Sequence, residues 1–299
     1  MHDTHYIINP AANGGTGRKV WNAFQKFWPD PIDPANITFT KHPADARKLA
    51  AGLACKMIVV IGGDGTVDDV ISGIMDQPEP RSKLAIIPGG TGNDIARCAN
   101  FQTLEESIAV LKAGTSRAFD LIRVERESEK RHVFLFANAG FSSIPKMKPW
   151  MKRLLGATSA YYLATLLEVI TFKPRNMMIS IDGKIISGPT FLVIASNAEY
   201  AGGGSMRIAP GAKTDDGLLN ISIIQPLPLF KLVTKLFSSI ADGSFIEEPE
   251  VSYCTGKTIE VSCEPPAVLD LDGELFGTTP ATITVIPKGI EILSHEPDV

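Results

Sequence analysis

The feature that most constrains this chain is an arrangement that occurs twice: a short uncharged strand running into a glycine-rich loop and then straight into a helix. Met57 to Ile61 reads Met-Ile-Val-Val-Ile and enters Gly62-Gly63-Asp64-Gly65-Thr66. Val67, Val70, Ile71 and Ile74 then recur at helical spacing, which predicts an amphipathic helix. Leu84 to Ile87 is a second buried strand, leading into Pro88-Gly89-Gly90-Thr91-Gly92-Asn93-Asp94 and then Ile95-Ala96. An earlier turn, Asn9-Pro10-Ala11-Ala12-Asn13-Gly14-Gly15-Thr16-Gly17, follows the apolar run His5 to Ile8 and precedes a helical stretch to Phe27. Asn36 to Thr40 is β-branched and Ala44 to Leu53 reads as helix. Strands that alternate with helices imply parallel pairing in an α/β layer with helices on both faces.

The pattern changes after Gly114. Phe119 to Val124 and Val133 to Ala137 read as strands with no helix between them. Met177 to Ile181, Pro189 to Ser196, Leu218 to Ile224, Thr258 to Ser262, Ala267 to Leu271 and Ala281 to Val285 continue the series. Short strands and turns of this kind make a mostly antiparallel β region. Helical patterns interrupt it near 158–170 and 227–237. The expected division is therefore 1–114 for an α/β domain and 115–287 for a β-rich one. A last strand around Ile290 to Leu293, within 288–299, is free to return to the first domain.

At 299 residues the chain is long enough for about two domains. Apolar residues make up 44% and charged ones 21%, which excludes bulk disorder. The 29 basic and 33 acidic residues leave a net charge of −4, giving no electrostatic footprint for nucleic acid. The uncharged run Leu154 to Leu167 is only 14 residues long, against about 20 for a spanning helix. Met1-His2-Asp3-Thr4-His5 lacks the basic start of a signal peptide. A soluble, cytoplasmic protein is expected. Cys55, Cys98, Cys254 and Cys263 form no CxxC pair and read as reduced thiols. The five histidines show no metal-ligand spacing, so no zinc site is expected.

In an open α/β sheet, ligands bind at the carboxyl ends of the strands. Glycines there let backbone N–H groups approach phosphate oxygens, and the following helix N-terminus adds partial positive charge. One such loop reads equally well as a tight turn; several on one sheet edge favour phosphate. The chain contains neither GxxxxGK[ST] nor GxGxxG, which disfavours a P-loop NTPase and a dinucleotide-type fold. Asp64 would repel phosphate unless a divalent cation intervenes. It is alternatively a proton acceptor for an attacking hydroxyl, or a plain helix cap.

Gly62 to Thr66, Asn9-Pro10 and the stretch Pro88 to Arg97 together resemble the diacylglycerol kinase catalytic-domain family, in its soluble bacterial lipid kinase form. The first loop is shared with NAD kinases and 6-phosphofructokinases; the Pro88 to Arg97 stretch is more specific to the lipid kinases. Gly202 to Pro210 leading to Lys213-Thr214-Asp215-Asp216-Gly217-Leu218, and Asp272-Gly273-Glu274, match as well. The resemblance spans essentially the whole chain. It implies a Rossmann-like N-terminal domain of the 6-phosphofructokinase and NAD kinase kind, followed by a mainly antiparallel, β-sandwich-like domain. It implies ATP against Asn9, Pro10, Ala11, Ala12, Asn13, Thr40, Gly62, Gly63, Asp64, Gly65, Thr66, Val67, Asp68 and Thr91, with Asp94 near the Mg²⁺–phosphate group. A second, mainly structural Mg²⁺ maps onto Lys213, Asp216 and Leu218, the flanking two through their carbonyls. Glu274 is assigned as proton acceptor with Asp272 supporting it, and Asp64 is the rival for that role.

Two departures stand out. The family commonly carries Asn and Glu where this chain has Asp68-Asp69, which adds a charge near the phosphates. Asn138-Ala139-Gly140-Phe141-Ser142-Ser143-Ile144-Pro145 lacks an Asp that the family often has there. The segment 146–175 places Lys146, Lys148, Lys152, Arg153, Lys173 and Arg175 beside Trp150, Tyr161 and Tyr162, a composition suited to transient peripheral contact with anionic lipid. The same segment reads equally as an amphipathic helix packed on the β domain. Leu227 to Phe237 is a weaker candidate. The expectation is an ATP- and Mg²⁺-dependent kinase of diacylglycerol or a related lipid, with room for a homodimer. The alternatives are a kinase of a soluble acceptor, as in NAD kinases, and a nucleotide-binding protein with little catalysis.

Overall fold

The computed structural model describes residues 3–42, 44–142, 164, 167–232 and 237–295. Four strands, β1 (Thr4–Ile8), β2 (Ile37–Phe39), β3 (Met57–Gly62) and β4 (Lys83–Pro88), lie in the order β2-β1-β3-β4, all parallel. Helices α1 (Ala12–Phe27), α2 (Asp45–Gly52), α3 (Asp64–Met75), α4 (Asp94–Cys98) and α5 (Leu104–Ala113) connect them and lead out of the layer. The reason is compositional: β3 is buried from Ile58 to Gly62, and a parallel strand covered by helices needs apolar residues on both faces. Tyr6, Trp21, Phe24 and Trp28 close the sheet against α1, with Phe24 and Trp28 stacked at 5.3 Å. Gly114 ends α5 in the left-handed conformation, its N–H on the Val110 carbonyl.

The remaining strands are β5 (Ser116–Arg126), β6 (Glu129–Val133), β7 (Phe136–Gly140), β8 (Arg175–Ile181), β9 (Lys184–Thr190), β10 (Leu192–Ser196), β11 (Leu219–Ile224), β12 (Val251–Gly256), β13 (Thr258–Cys263), β14 (Val268–Leu271), β15 (Glu274–Thr278) and β16 (Ala281–Leu293). Six of them form an antiparallel sheet in the order β12-β11-β10-β7-β14-β15. The rest extend the parallel layer through β16, which meets β4 in parallel at Ile292 and Leu84 and continues antiparallel to β5 and β13. Ile122, Met177, Ile259 and Ile283 from this larger sheet pack on Ala137, Val193, Ile221 and Leu269 from the six-stranded one. The result is a β-sandwich joined edge-on to an α/β layer.

Four strands of the sequence reading differ in the structure. Val133 to Ala137 is not one strand: the chain breaks at Phe134 and Leu135, where the N–H groups of Phe134, Leu135 and Phe136 turn to the Asp272 carboxylate at 3.1, 3.0 and 2.6 Å. Pro189 to Ser196 is two strands, because Phe191 carries the chain from one sheet to the other. Ala281 to Val285 and Ile290 to Leu293 are one strand, β16, with an irregularity between Ile286 and Ile290. Of the helical pattern near 158–170, residues 164 and 167–171 are helical and the others lie outside the described residues. So do Lys146, Lys148, Trp150, Lys152, Arg153, Tyr161 and Tyr162. In 227–237, Leu229–Lys231 is helical, and 233–236 lie outside the described residues.

Candidate active site

The glycine loops follow the carboxyl ends of β1, β3 and β4 and hold one another. Asn9 N–H donates to the Ile61 carbonyl at 2.9 Å, and Gly89 N–H to the Gly62 carbonyl at 2.7 Å. The Asn9 amide donates to the Thr66 hydroxyl at 2.9 Å. Gly63 and Gly90 touch backbone to backbone: a Cβ on Gly90 would sit 2.5 Å from the Gly63 Cα. Any side chain there would force the loops apart, which is why both sites are glycine.

The loops enclose a cleft of about 470 Å³. Of the residues expected to bind nucleotide, Asn9, Ala11, Ala12, Asn13, Thr40, Gly63, Asp64, Gly65, Thr66 and Thr91 line it. Lys41, His42, Ala44, Ala46, Asp69 and Gly90 line it too, and were not anticipated. Pro10 and Gly62 belong to the loops without lining the cleft. Val67 and Asp68 are buried beneath it, 2% and 1% exposed. Asp94 is buried as well, its Oδ2 accepting the Gly203 N–H at 2.8 Å, so it ties the third loop to the Gly202 to Ser205 turn.

Asp64 Oδ1 accepts the Ile95 N–H at 3.1 Å. Burial pushes its carboxyl above the ordinary carboxylate range, and the Asp94 charge adds to the rise. A Cβ on Gly92 would lie 2.9 Å from Asp64 Oδ2 and 3.3 Å from Asp94 Oδ2, so the two acids face one another across that glycine.

Glu274, from the first residue of β15, reaches across to the same cleft. Its Oε2 accepts from Arg131 at 2.6 Å. Its Oε1 lies against Gly65, 3.0 Å from where a Cβ would stand. Arg131 is on β6 and also faces Asp69 of α3 at 3.8 Å. Asp272 is the anchor of this turn. Its carboxylate takes the three N–H groups that break the β6–β7 run, and burial raises its carboxyl to about 6. Gly273 N–H closes the turn on Asp270 at 3.0 Å.

Lys213 and Asp216 are exposed and Leu218 is half-buried, all in the turn before β11. Asp216 Oδ1 accepts the Leu218 N–H at 3.0 Å. One carboxylate with neighbouring carbonyls suits a Mg²⁺ that keeps several waters, and not an all-protein cage. Among the described residues no cluster of three His, Cys, Asp or Glu is placed to hold a metal. The turn is fixed by Asp120, fully buried on β5, which accepts from Gly217 N–H at 2.6 Å and Lys288 N–H at 2.7 Å. Asp120 and Arg131 were not anticipated. An acid inside the apolar run Phe119 to Ile122 was a readable signal; Arg131 sits in a charged hairpin that reads as solvent-facing.

Comparisons with known proteins agree with this geometry. Residues 3–124 match the family model of the diacylglycerol kinase catalytic domain, and 138–294 match the YegS C-terminal NAD kinase beta sandwich-like domain. A diacylglycerol kinase of Mycobacterium tuberculosis is 31% identical over 257 residues, covering 83% of this chain and 81% of that protein. A Shewanella frigidimarina protein bearing the name of a YegS-like lipid kinase is 29% identical, covering 79% and 75%. A related crystal structure from Bacillus anthracis superposes with a TM-score of 0.76 at 26% identity, covering 98% of this chain and 95% of that one. An Archaeoglobus fulgidus NAD kinase in complex with ATP shares the fold, with a TM-score of 0.55 at 13% identity over 98% of this chain and 94% of that one. The loops, the joined sheets and these matches converge: the chain belongs to the diacylglycerol kinase catalytic-domain family, in its bacterial YegS-like branch.

Proposed function

We propose that the protein transfers the γ-phosphoryl group of Mg²⁺-ATP to a hydroxyl of diacylglycerol or a related lipid. The observation that carries this reading is that neighbouring residues of β15 face two separate cavities, the second lined by apolar side chains together with Glu168, Lys173 and Arg175. Glu274 lines the cleft of the glycine loops, whereas Leu275 lines a second cavity of about 700 Å³ with Phe141, Phe172 and Val268. Successive strand side chains point to opposite faces. A donor held on the glycine loops and an acyl chain held beside Leu275 would bring the lipid hydroxyl to the Glu274 carboxylate.

In the transfer, the hydroxyl oxygen forms the new bond to the γ-phosphorus and the bond to the ADP oxygen breaks. Glu274 Oε1 receives the hydroxyl proton, since Oε2 is held by Arg131. A Mg²⁺ bound with the nucleotide would neutralise the developing charge on its phosphates. The glycine loops and the N-terminus of α3 present N–H groups to the phosphates. Asp64 organises the third loop through Ile95 and is not the base in this scheme. Lys213, Asp216 and Leu218 would hold a second, hydrated Mg²⁺ that orders their turn. Among the described residues no helix is long and apolar enough to cross a membrane, so the enzyme would meet its lipid at a bilayer surface. Leu167, Ile170, Leu229 and Phe230 suit that contact: they are exposed, and their neighbours Val169, Phe172, Leu227 and Leu232 pack in one small cluster.

The test is ADP release from Mg²⁺-ATP with mixed micelles of diacylglycerol, phosphatidylglycerol or sphingosine, against a lipid-free control. Turnover with one lipid is expected, falling about 100-fold or more in Glu274→Ala. ATP binding without lipid-stimulated turnover overturns the lipid acceptor. Equal turnover in the lipid-free control means that the phosphoryl group passes to water, and it overturns the lipid acceptor as well.

A further inference from the structure

Asp68 has a task that the reaction scheme leaves unused. It sits on α3, 1% exposed. Its Oδ1 accepts the Phe134 N–H at 3.2 Å, and its buried Oδ2 has no N–H or O–H donor in reach. The same Phe134 N–H lies 3.1 Å from Asp272 Oδ2, so two carboxyl groups converge on one donor. Two carboxyl groups drawn to one donor, one of them buried, do not both stay ionised. The surroundings decide which one keeps the charge. Asp272 accepts two further N–H groups, from Leu135 and Phe136, whereas Asp68 has only its share of one. The negative charge therefore belongs on Asp272 and the proton on Asp68.

We propose that Asp68 is protonated at neutral pH and donates a hydrogen bond from Oδ2 to Asp272, so that it acts as the positioning residue that fixes the Asp272-Gly273-Glu274 turn against α3. The last link, from the turn to the catalytic carboxylate, rests on the lipid kinase reading above; the proton itself does not. An acid in this role differs from an amide in one respect, which is that it titrates.

The charges around the pair support this order. Burial first, and then the Asp272 charge, hold the Asp68 carboxyl well above the ordinary range, with Asp64 on the same helix adding to it. Asp272 rises only to about 6, because its three N–H groups and the Asp68 hydrogen bond favour its charged form. Arg131 on β6 pulls the other way but is engaged by Glu274 and Asp69. Two other groups bring no charge: burial takes His132 on β6 down to about 4 and Cys98 on α4 up to about 12. The sign for stability follows. A carboxyl whose folded pKa is raised holds a proton that the unfolded chain gives up above about pH 4. Stability is full below that value and falls as pH rises through the pKa values of the pair.

The test compares the full chain with Asp68→Asn, which offers Asp272 an N–H without titrating, and with Asp68→Ala. Urea midpoints from pH 5 to pH 9 should fall for the wild type and stay flatter for Asp68→Asn. The infrared spectrum at neutral pH should show a protonated-carboxyl carbonyl band that Asp68→Asn lacks. Absence of that band, or an unchanged pH slope in Asp68→Asn, overturns the shared proton. In turnover, Asp68→Ala should lose kcat with the KM for ATP little changed, and Asp68→Asn should recover part of that loss. An Asp68→Ala variant with full kcat overturns the positioning role. A band and slope as expected, in a protein with no lipid turnover, uphold the proton and refute the kinase reading alone.

Discussion

Asp120 shows how much of this site depends on single carboxylates acting on the backbone. Fully buried, it accepts the Gly217 and Lys288 N–H groups and donates its own N–H to the Thr214 carbonyl. Asp120→Ala strands two N–H groups, and hydrogen bonds to charged groups contribute roughly 1.5–3 kcal/mol each. We expect a loss of about 3 kcal/mol in urea unfolding; a loss below about 1 kcal/mol would mean that water replaces the carboxylate. Asp272 does the same for Phe134, Leu135 and Phe136. The two acids could be singled out in the sequence, but their backbone partners could not, for a physical reason. Their partners lie 97 and 168 residues from Asp120 and 136 to 138 from Asp272, and no local periodicity encodes such distances. What was legible was the loops, because a glycine needed for close backbone approach is written into the residue type itself.

At the scale of elements, Arg131 links three of them: β6 that carries it, α3 through Asp69, and β15 through Glu274. The Arg131 side chain is 14% exposed and that of Glu274 49%, so the pair is partly screened and adds at most about 1 kcal/mol to stability. In the proposed reaction its worth would lie in aiming Glu274. Arg131→Met should lower kcat about tenfold or more, leave the KM for ATP nearly unchanged and move the urea midpoint little. A variant with raised KM and intact kcat would place Arg131 on the nucleotide. Element ends were readable where residue type sets them, as at Gly114, which caps α5 at positive φ. They were misread where tertiary partners set them. Nothing in Val133 to Ala137 announces that Asp272 breaks that run, and Phe191 is unexceptional until its strands are seen in separate sheets.

For the whole molecule, alternation and its loss after Gly114 revealed an α/β layer followed by antiparallel β structure. Of the seam between them only the end was legible, the strand around Ile290 to Leu293 that returns to β4. The seam is β16, whose 13 residues pair with β4, β5 and β13. A strand shared by both layers couples their unfolding. Fluorescence of Trp21 and Trp28, both buried in the α/β layer, should therefore change at the same urea concentration as far-ultraviolet circular dichroism of the whole chain. Two separated transitions would show that the layers are independent. The same strand also sets an order in time. β4 is made early, yet its neighbour on one side arrives only after 280 residues have been joined. Throughout that interval the nascent chain carries an open sheet edge, the kind of surface on which chains pair wrongly. A ribosome that stalls before residue 281 therefore leaves both layers without the strand they share.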